Sequence, residues 1–218
     1  QDAEVQVPVL QGWTPLGQCL DYQLGQVAFQ QRGAQAFTTN EVPNLINQGG
    51  MSAYRAAEVL FANCEELEAA GELEDEICCL EIAMGLGLAS LQTLDRFQFI
   101  CAEANKDWYG RLTWYATDAT PKMITDARDN GVFERHVDRV VLGRVDAMVP
   151  NTLQRLDNGE VIDLTGKVRA IFQSYLLSLL PSNLLRVAEL ADDKGEVARR
   201  FGIVMARTVL RHPDELAK

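Results

Sequence analysis

The sequence predicts an α/β fold, a parallel sheet flanked by helices. An N-terminal extension of helix and loop precedes it, and a helical C-terminal segment follows. Three observations predict this. From residue 77 onward, β-rich apolar runs alternate with helical stretches, the order of a parallel sheet covered by helices. The run Cys78-Cys79-Leu80-Glu81-Ile82-Ala83-Met84-Gly85-Leu86-Gly87-Leu88-Ala89-Ser90 reads as a buried strand ending in an acid, then a small-residue turn that opens a helix. Two later strand candidates also run into acids, Asp118 and Asp146.

Residues 1–50 read as irregular chain, broken by Pro8, Pro15 and Pro43, with a short helix over 21–31 ending near Gly33. Residues 37–50 are a candidate lid. Over 52–70, Ala56, Val59, Leu60, Cys64 and Leu67 fall at mostly helical spacing, with Ser52 as cap and Gly71 as stop. After the first strand a helix runs over 88–97, and 97–104 fits either helix or strand. Residues 112–118 are a second strand. Thr120-Pro121 supplies an N-cap and first helical position, and Gly131 a stop. Residues 139–146 are a third strand, 150–166 a polar segment with an Asp157-Asn158-Gly159 turn, and 168–175 a fourth strand. Residues 184–218 are helical in pattern. The expected division is an extension over 1–70 and a core over 71–218 that ends short of a full sheet. A start at Gln1 fits an excised domain.

Composition excludes several classes of function. With 218 residues, 47% hydrophobic and 23% charged, the chain has the profile of a soluble globular protein. A net charge of −11 argues against a nucleic-acid partner, which demands concentrated Lys and Arg. Arg186, Arg199, Arg200, Arg207 and Arg211 are interspersed with acids and read as a solvated helix face. No apolar run approaches the roughly 18 residues of a membrane span, and no signal peptide is visible, so no membrane partner is expected. Five cysteines without CxxC spacing read as buried thiols in a reducing, cytoplasmic setting. No metal is expected, because the two histidines, His136 and His212, lie far apart. His136 reads as a surface residue, and Trp13, Trp108 and Trp114 as anchors.

The strand ends resemble those of the class I, Rossmann-like S-adenosylmethionine-dependent methyltransferases. That family's first motif is E-x-G-x-G-x-G, and Glu81, Ala83, Gly85 and Gly87 occupy its places, with Ala83 for the first glycine. Asp118 resembles the acid that binds the ribose hydroxyls, and Ala119-Thr120-Pro121-Lys122-Met123 the usual continuation. Asp146, followed by Ala147, resembles the acid near the adenine. Gln173, Ser174 and Tyr175 fall where the fourth strand reaches the reacting centre. The run 174–181 is weakly similar to the N-x-L-L-D-x-L-P run of the mitochondrial complex I assembly-type arginine methyltransferases, with Ser174 for Asn and Ser178 for Asp. The resemblance covers about residues 77–181. Glu81 to Asp118 spans 37 positions, more than the usual gap of about 20, so an insertion over 97–110 is expected.

The resemblance implies S-adenosyl-L-methionine as cofactor. It implies binding through Glu81, Ala83, Met84, Gly85, Gly87, Asp118, Ala119, Asp146, Ala147 and Gln173, with Glu41 and Tyr175 as helpers of the chemistry. A dinucleotide fits less well, because G-x-G-x-x-G would need glycine where Ser90 stands. The acceptor is a small molecule, a carrier-bound acyl group or a protein side chain. The alternative is a catalytically silent methyltransferase-like module that binds or scaffolds a partner. A nucleotide-dependent oxidoreductase is a third reading.

Overall fold

The computed structural model describes residues 8–39, 50–174, 176, 180, 185–191, 197–203 and 205–209. In chain order the elements are strand β1 (Val9–Pro15), helices α1 (Leu20–Arg32), α2 (Gln35–Thr38) and α3 (Met51–Ala70), and strand β2 (Ile77–Ile82). Helices α4 (Leu88–Glu103) and α5 (Trp108–Arg111), strand β3 (Leu112–Asp118) and helix α6 (Pro121–Asp129) follow. Strands β4 (Val140–Arg144), β5 (Thr152–Arg155), β6 (Val161–Asp163), β7 (Val168–Gln173), β8 (Leu185–Ala191), β9 (Val197–Ile203) and β10 (Met205–Val209) complete the order. Two compact units divide the chain: Gln1–Val27 with Leu177–Lys218, and Ala28–Leu176. Residue 70, where the sequence suggested a boundary, lies inside the second.

The first unit holds two antiparallel ribbons, β1 with β10 and β8 with β9. This corrects the helical C-terminal segment and the irregular reading of residues 9–15. Residues 185–191 and 197–203 pair from Leu185 with Ile203 to Ala191 with Val197. Glu189 and Arg199, which looked like a mixed helix face, are register partners of opposite charge across this ladder.

The second unit is built on a six-stranded sheet in the order β6-β5-β4-β3-β2-β7. Strands β4, β3, β2 and β7 are parallel; at one edge β5 pairs antiparallel with β4, and β6 antiparallel with β5. The α/β, Rossmann-like expectation therefore holds for this unit. The polar segment 150–166 holds the β5–β6 hairpin. Its turn falls over the Asp157-Asn158-Gly159 run, where Gly159 takes a φ of +72°. Strands of four and three residues give too short an alternation to read from sequence.

Every residue of β2 is buried, as a central parallel strand requires. One sheet face carries Ile77, Cys79, Trp114, Ala116, Ala170 and Phe172, and it packs with Leu60 of α3, Leu94 and Phe97 of α4 and Ile124 of α6. Leu94, Phe97 and Cys101 share a helical face in that core, which settles 97–103 as helix, with Ala104 as its C-cap. The long α4 and the one-turn α5 occupy the extra positions between Glu81 and Asp118. Trp108 of α5 is fully buried beside Phe61, ring centroids 4.9 Å apart, and its indole N–H donates to Glu68.

The chain steps from β2 to β3 to β4 on one side, then returns to β7 on the other side of β2. The direction of winding therefore reverses at β2. In open α/β sheets, ligands bind outside the carboxyl ends of strands at such a reversal.

Candidate functional site

The carboxyl end of β2 runs into three left-handed residues at alternate positions: Ala83 at φ +60°, Gly85 at +55° and Gly87 at +76°. This backbone explains the spacing of small residues. A side chain in this region clashes with its own backbone, so glycine is favoured and alanine costs about 1 kcal/mol. The turn is laced to its neighbours: Met84 N–H donates to Thr117 O (2.9 Å), and Gly87 N–H to Met84 O (2.9 Å).

The two glycines do different work. A Cβ on Gly87 would lie 2.8 Å from Phe133 Cζ, so this glycine makes room for a core ring. A Cβ on Gly85 would meet only the tip of Phe37 within 4 Å among the described residues. Gly87 is also the residue before α4, and no side chain caps that helix. Its first-turn N–H groups carry the positive end of the helix dipole.

Two carboxyls converge on this turn. Asp118 closes β3 and is 8% exposed. Its Oδ2 accepts from Gly85 N–H (3.2 Å) and its Oδ1 from Thr120 N–H (2.9 Å). Burial raises its pKa above the usual carboxylate range, while these amides pull it down. Glu81, one strand over, is 5% exposed, and its Oε2 has no hydrogen-bond partner. Burial pushes the Glu81 carboxyl up to about 8; the Trp114 indole opposes this and the Asp118 charge adds to it. Trp114 also donates to Ser90 Oγ (2.7 Å), fastening α4 to the sheet at the position where a dinucleotide site would carry glycine.

The remaining expected residues are less tightly grouped. Asp146 follows β4, is exposed, and uses Oδ1 to accept from Met148 N–H (2.9 Å). Ala147 beside it is half-buried, and Ala119 is exposed. Gln173 ends β7, exposed, as register partner of Ile82. Met84 is a buried core side chain, so only its backbone borders the turn. Glu41 and Tyr175 lie outside the described residues, as does most of the 37–50 lid.

His136 is not at the surface. It is 1% exposed, bonded to Tyr109 Oη through Nδ1 (2.6 Å) and to Asp95 Oδ1 through Nε2 (3.0 Å). Two partners from α4 and α5 satisfy the ring, which a lone histidine in a sequence does not advertise. Trp13 is exposed rather than an anchor. All five cysteines are free and buried, and burial pushes Cys64 and Cys101 up to about 11, which disfavours a thiolate nucleophile there. Phe37, the first residue of the candidate lid, and Phe133 both lie near the turn; Phe133 gave no sequence signal, because an isolated aromatic has no motif.

Among the described residues, no helix is long and apolar enough to cross a membrane, and no group of three or more His, Cys, Asp or Glu could hold a metal ion. No protein-family model and no curated protein matches the chain. Two crystal structures from Burkholderia thailandensis are similar. One is an uncharacterized superfamily protein, 16% identical with a TM-score of 0.45. The other is a member of the same superfamily bound to S-adenosyl-homocysteine, 14% identical with a TM-score of 0.39. Each match covers 94% of this chain but 46% and 48% of those chains, so the chain spans about half their length. Likeness at this level assigns no role.

Proposed function

We propose that the second unit binds S-adenosyl-L-methionine at the carboxyl ends of β2, β3 and β4, and that the protein is a methyltransferase. One observation carries this reading. Glu81 and Asp118, on neighbouring strands, hold two carboxyls out of water at a left-handed glycine turn, and Glu81 Oε2 is left without a partner. Burial keeps the Glu81 carboxyl protonated at neutral pH, and a sulfonium donor with an ammonium group is cationic and would favour its ionised form beside Asp118.

The residues fit that donor in other respects. Asp118 accepts from the Gly85 and Thr120 amides and is also bonded by the Thr120 hydroxyl and the Ala119 amide, a carboxylate held in place to accept from a sugar hydroxyl. The uncapped start of α4 suits a carboxylate. Asp146 would meet the adenine amine, with Ala119 and Ala147 beside the base and Gln173 toward the acceptor. When bound, the donor supplies a methyl group already activated by the sulfonium charge. The chain therefore needs no covalent nucleophile; its task is to hold the acceptor in line, where proximity supplies much of the acceleration. Glu41 and Tyr175 are proposed to take a proton from an acceptor that carries one. The acceptor class is open among a small molecule, a carrier-bound acyl group and a protein side chain.

A silent, partner-binding module is the second reading. It is favoured by Ala83 standing at a left-handed position and by Phe133 filling the space beside Gly87. Calorimetric titration with S-adenosyl-L-methionine separates the two. The enzyme reading expects saturable binding, weakened about 30-fold or more in Asp118→Ala through loss of charge-assisted hydrogen bonds. Asp118→Asn, which keeps the shape, should weaken it in the same direction. A folded wild-type chain that takes up no donor sinks the reading.

A further inference from the structure

The turn has an aromatic neighbour that comes from far away in sequence. Phe37, on the short α2, meets Gly85 tip first: its Cζ and Cε2 lie 3.5 and 3.9 Å from where a Cβ would stand. The ring is half-buried. The segment that carries it is fastened at several points. Gly33 packs so closely on α6 that a Cβ there would lie 2.7 Å from Lys122 Cγ. Ala34 N–H donates to Asp126 Oδ2 (2.9 Å), and Lys122 Nζ bridges to Asp126 Oδ1 (3.0 Å). Phe29 lies 6.0 Å from Phe37, ring centre to ring centre.

These tethers attach Phe37 to α6, the helix that starts just after Asp118. The strand end that supplies the carboxylate therefore also sets the position of the ring. A tip-first contact leaves the faces of the ring unused by Gly85. An aromatic face carries negative potential and attracts cations within about 6 Å. Next to Gly85, whose N–H donates to Asp118 Oδ2, such a face adds selectivity for positive charge that does not depend on hydrogen bonding.

We propose that Phe37 is a donor-contacting residue that favours a positively charged sulfonium over the neutral thioether left after transfer. This rests on the methyl-donor reading above. Its chemical consequence is easier release of the spent donor. The test is calorimetry of the full chain with S-adenosyl-L-methionine and with S-adenosyl-L-homocysteine, in wild type, Phe37→Leu and Phe37→Tyr. Phe37→Leu keeps apolar bulk and removes the ring; thermal unfolding without ligand checks that it folds. The expected result is about a 3- to 30-fold loss of affinity for the sulfonium, with thioether affinity changed less than about twofold. Phe37→Tyr should retain the wild-type preference. If the Leu variant loses both ligands equally, or neither, the Phe37 proposal is overturned while the donor site stands. If wild type binds neither ligand, the methyl-donor reading fails and the Phe37 proposal fails with it.

Discussion

Replacing Glu81 by Gln removes a titrating group while keeping its size, and it should change how stability depends on pH. Burial holds the Glu81 carboxyl at about 8 against an ordinary 4.5. Between those values the folded chain keeps a proton that the unfolded chain releases. Stability therefore falls as pH rises through that window, by about 1.4 kcal/mol per pH unit, and levels off above it. The full difference is of order 4–5 kcal/mol, an upper bound for one group. Glutamine cannot titrate, so this slope should vanish from the variant. Wild type and Glu81→Gln should have similar stability near pH 5, and the variant should be the more stable by several kcal/mol at pH 8.5. Asp118 is also raised and acts in the same direction, but it is present in both proteins and its own contribution largely cancels in the difference. Urea unfolding followed by circular dichroism, at half-unit steps from pH 5 to 8.5, measures it, with an unchanged m-value as the control. Two parallel stability curves would refute the claim that Glu81 is an unrelieved buried acid.

Two substitutions test the turn itself. Ala83→Gly should stabilise the protein by about 1 kcal/mol by relieving a left-handed alanine, read as a higher urea midpoint; a lower midpoint would mean that the methyl contributes packing. Gly87→Ala should cost about 2 kcal/mol or more, because the new Cβ meets Phe133 in a conformation that already disfavours side chains. Thermal unfolding unchanged from wild type would contradict the role given to Gly87.

The parts of the second unit that were legible in the sequence are those with local causes. The second strand was read over 112–118, as β3 is, because β-branched and aromatic residues cluster between a glycine and a proline. Gly71 stops α3 at a φ of +73°, as its place after a helical run suggested. The small-residue turn after Glu81 was visible because three left-handed positions leave a trace in composition. What escaped depended on distant partners. Strand β1 pairs with β10 from the other end of the chain, and β8–β9 carries enough charge to pass for a solvated helix. At the site, the sequence separated glycine from acid but did not show that Gly87 serves Phe133 while Gly85 serves Asp118. Phe37 was marked only as the first residue of a candidate lid; the contacts of the 33–39 segment with α6 that bring it to Gly85 were not legible.

The central claim concerns a place: the carboxyl ends of β2, β3 and β4 hold the methyl donor. Amide hydrogen exchange of the chain, with and without saturating S-adenosyl-L-methionine, reports on that place directly. Slowed exchange should concentrate at 83–90, 118–120 and 145–148, the backbone around Glu81, Asp118 and Asp146. Protection confined to the first unit or to the β5–β6 hairpin, with these three segments unchanged, would contradict the account.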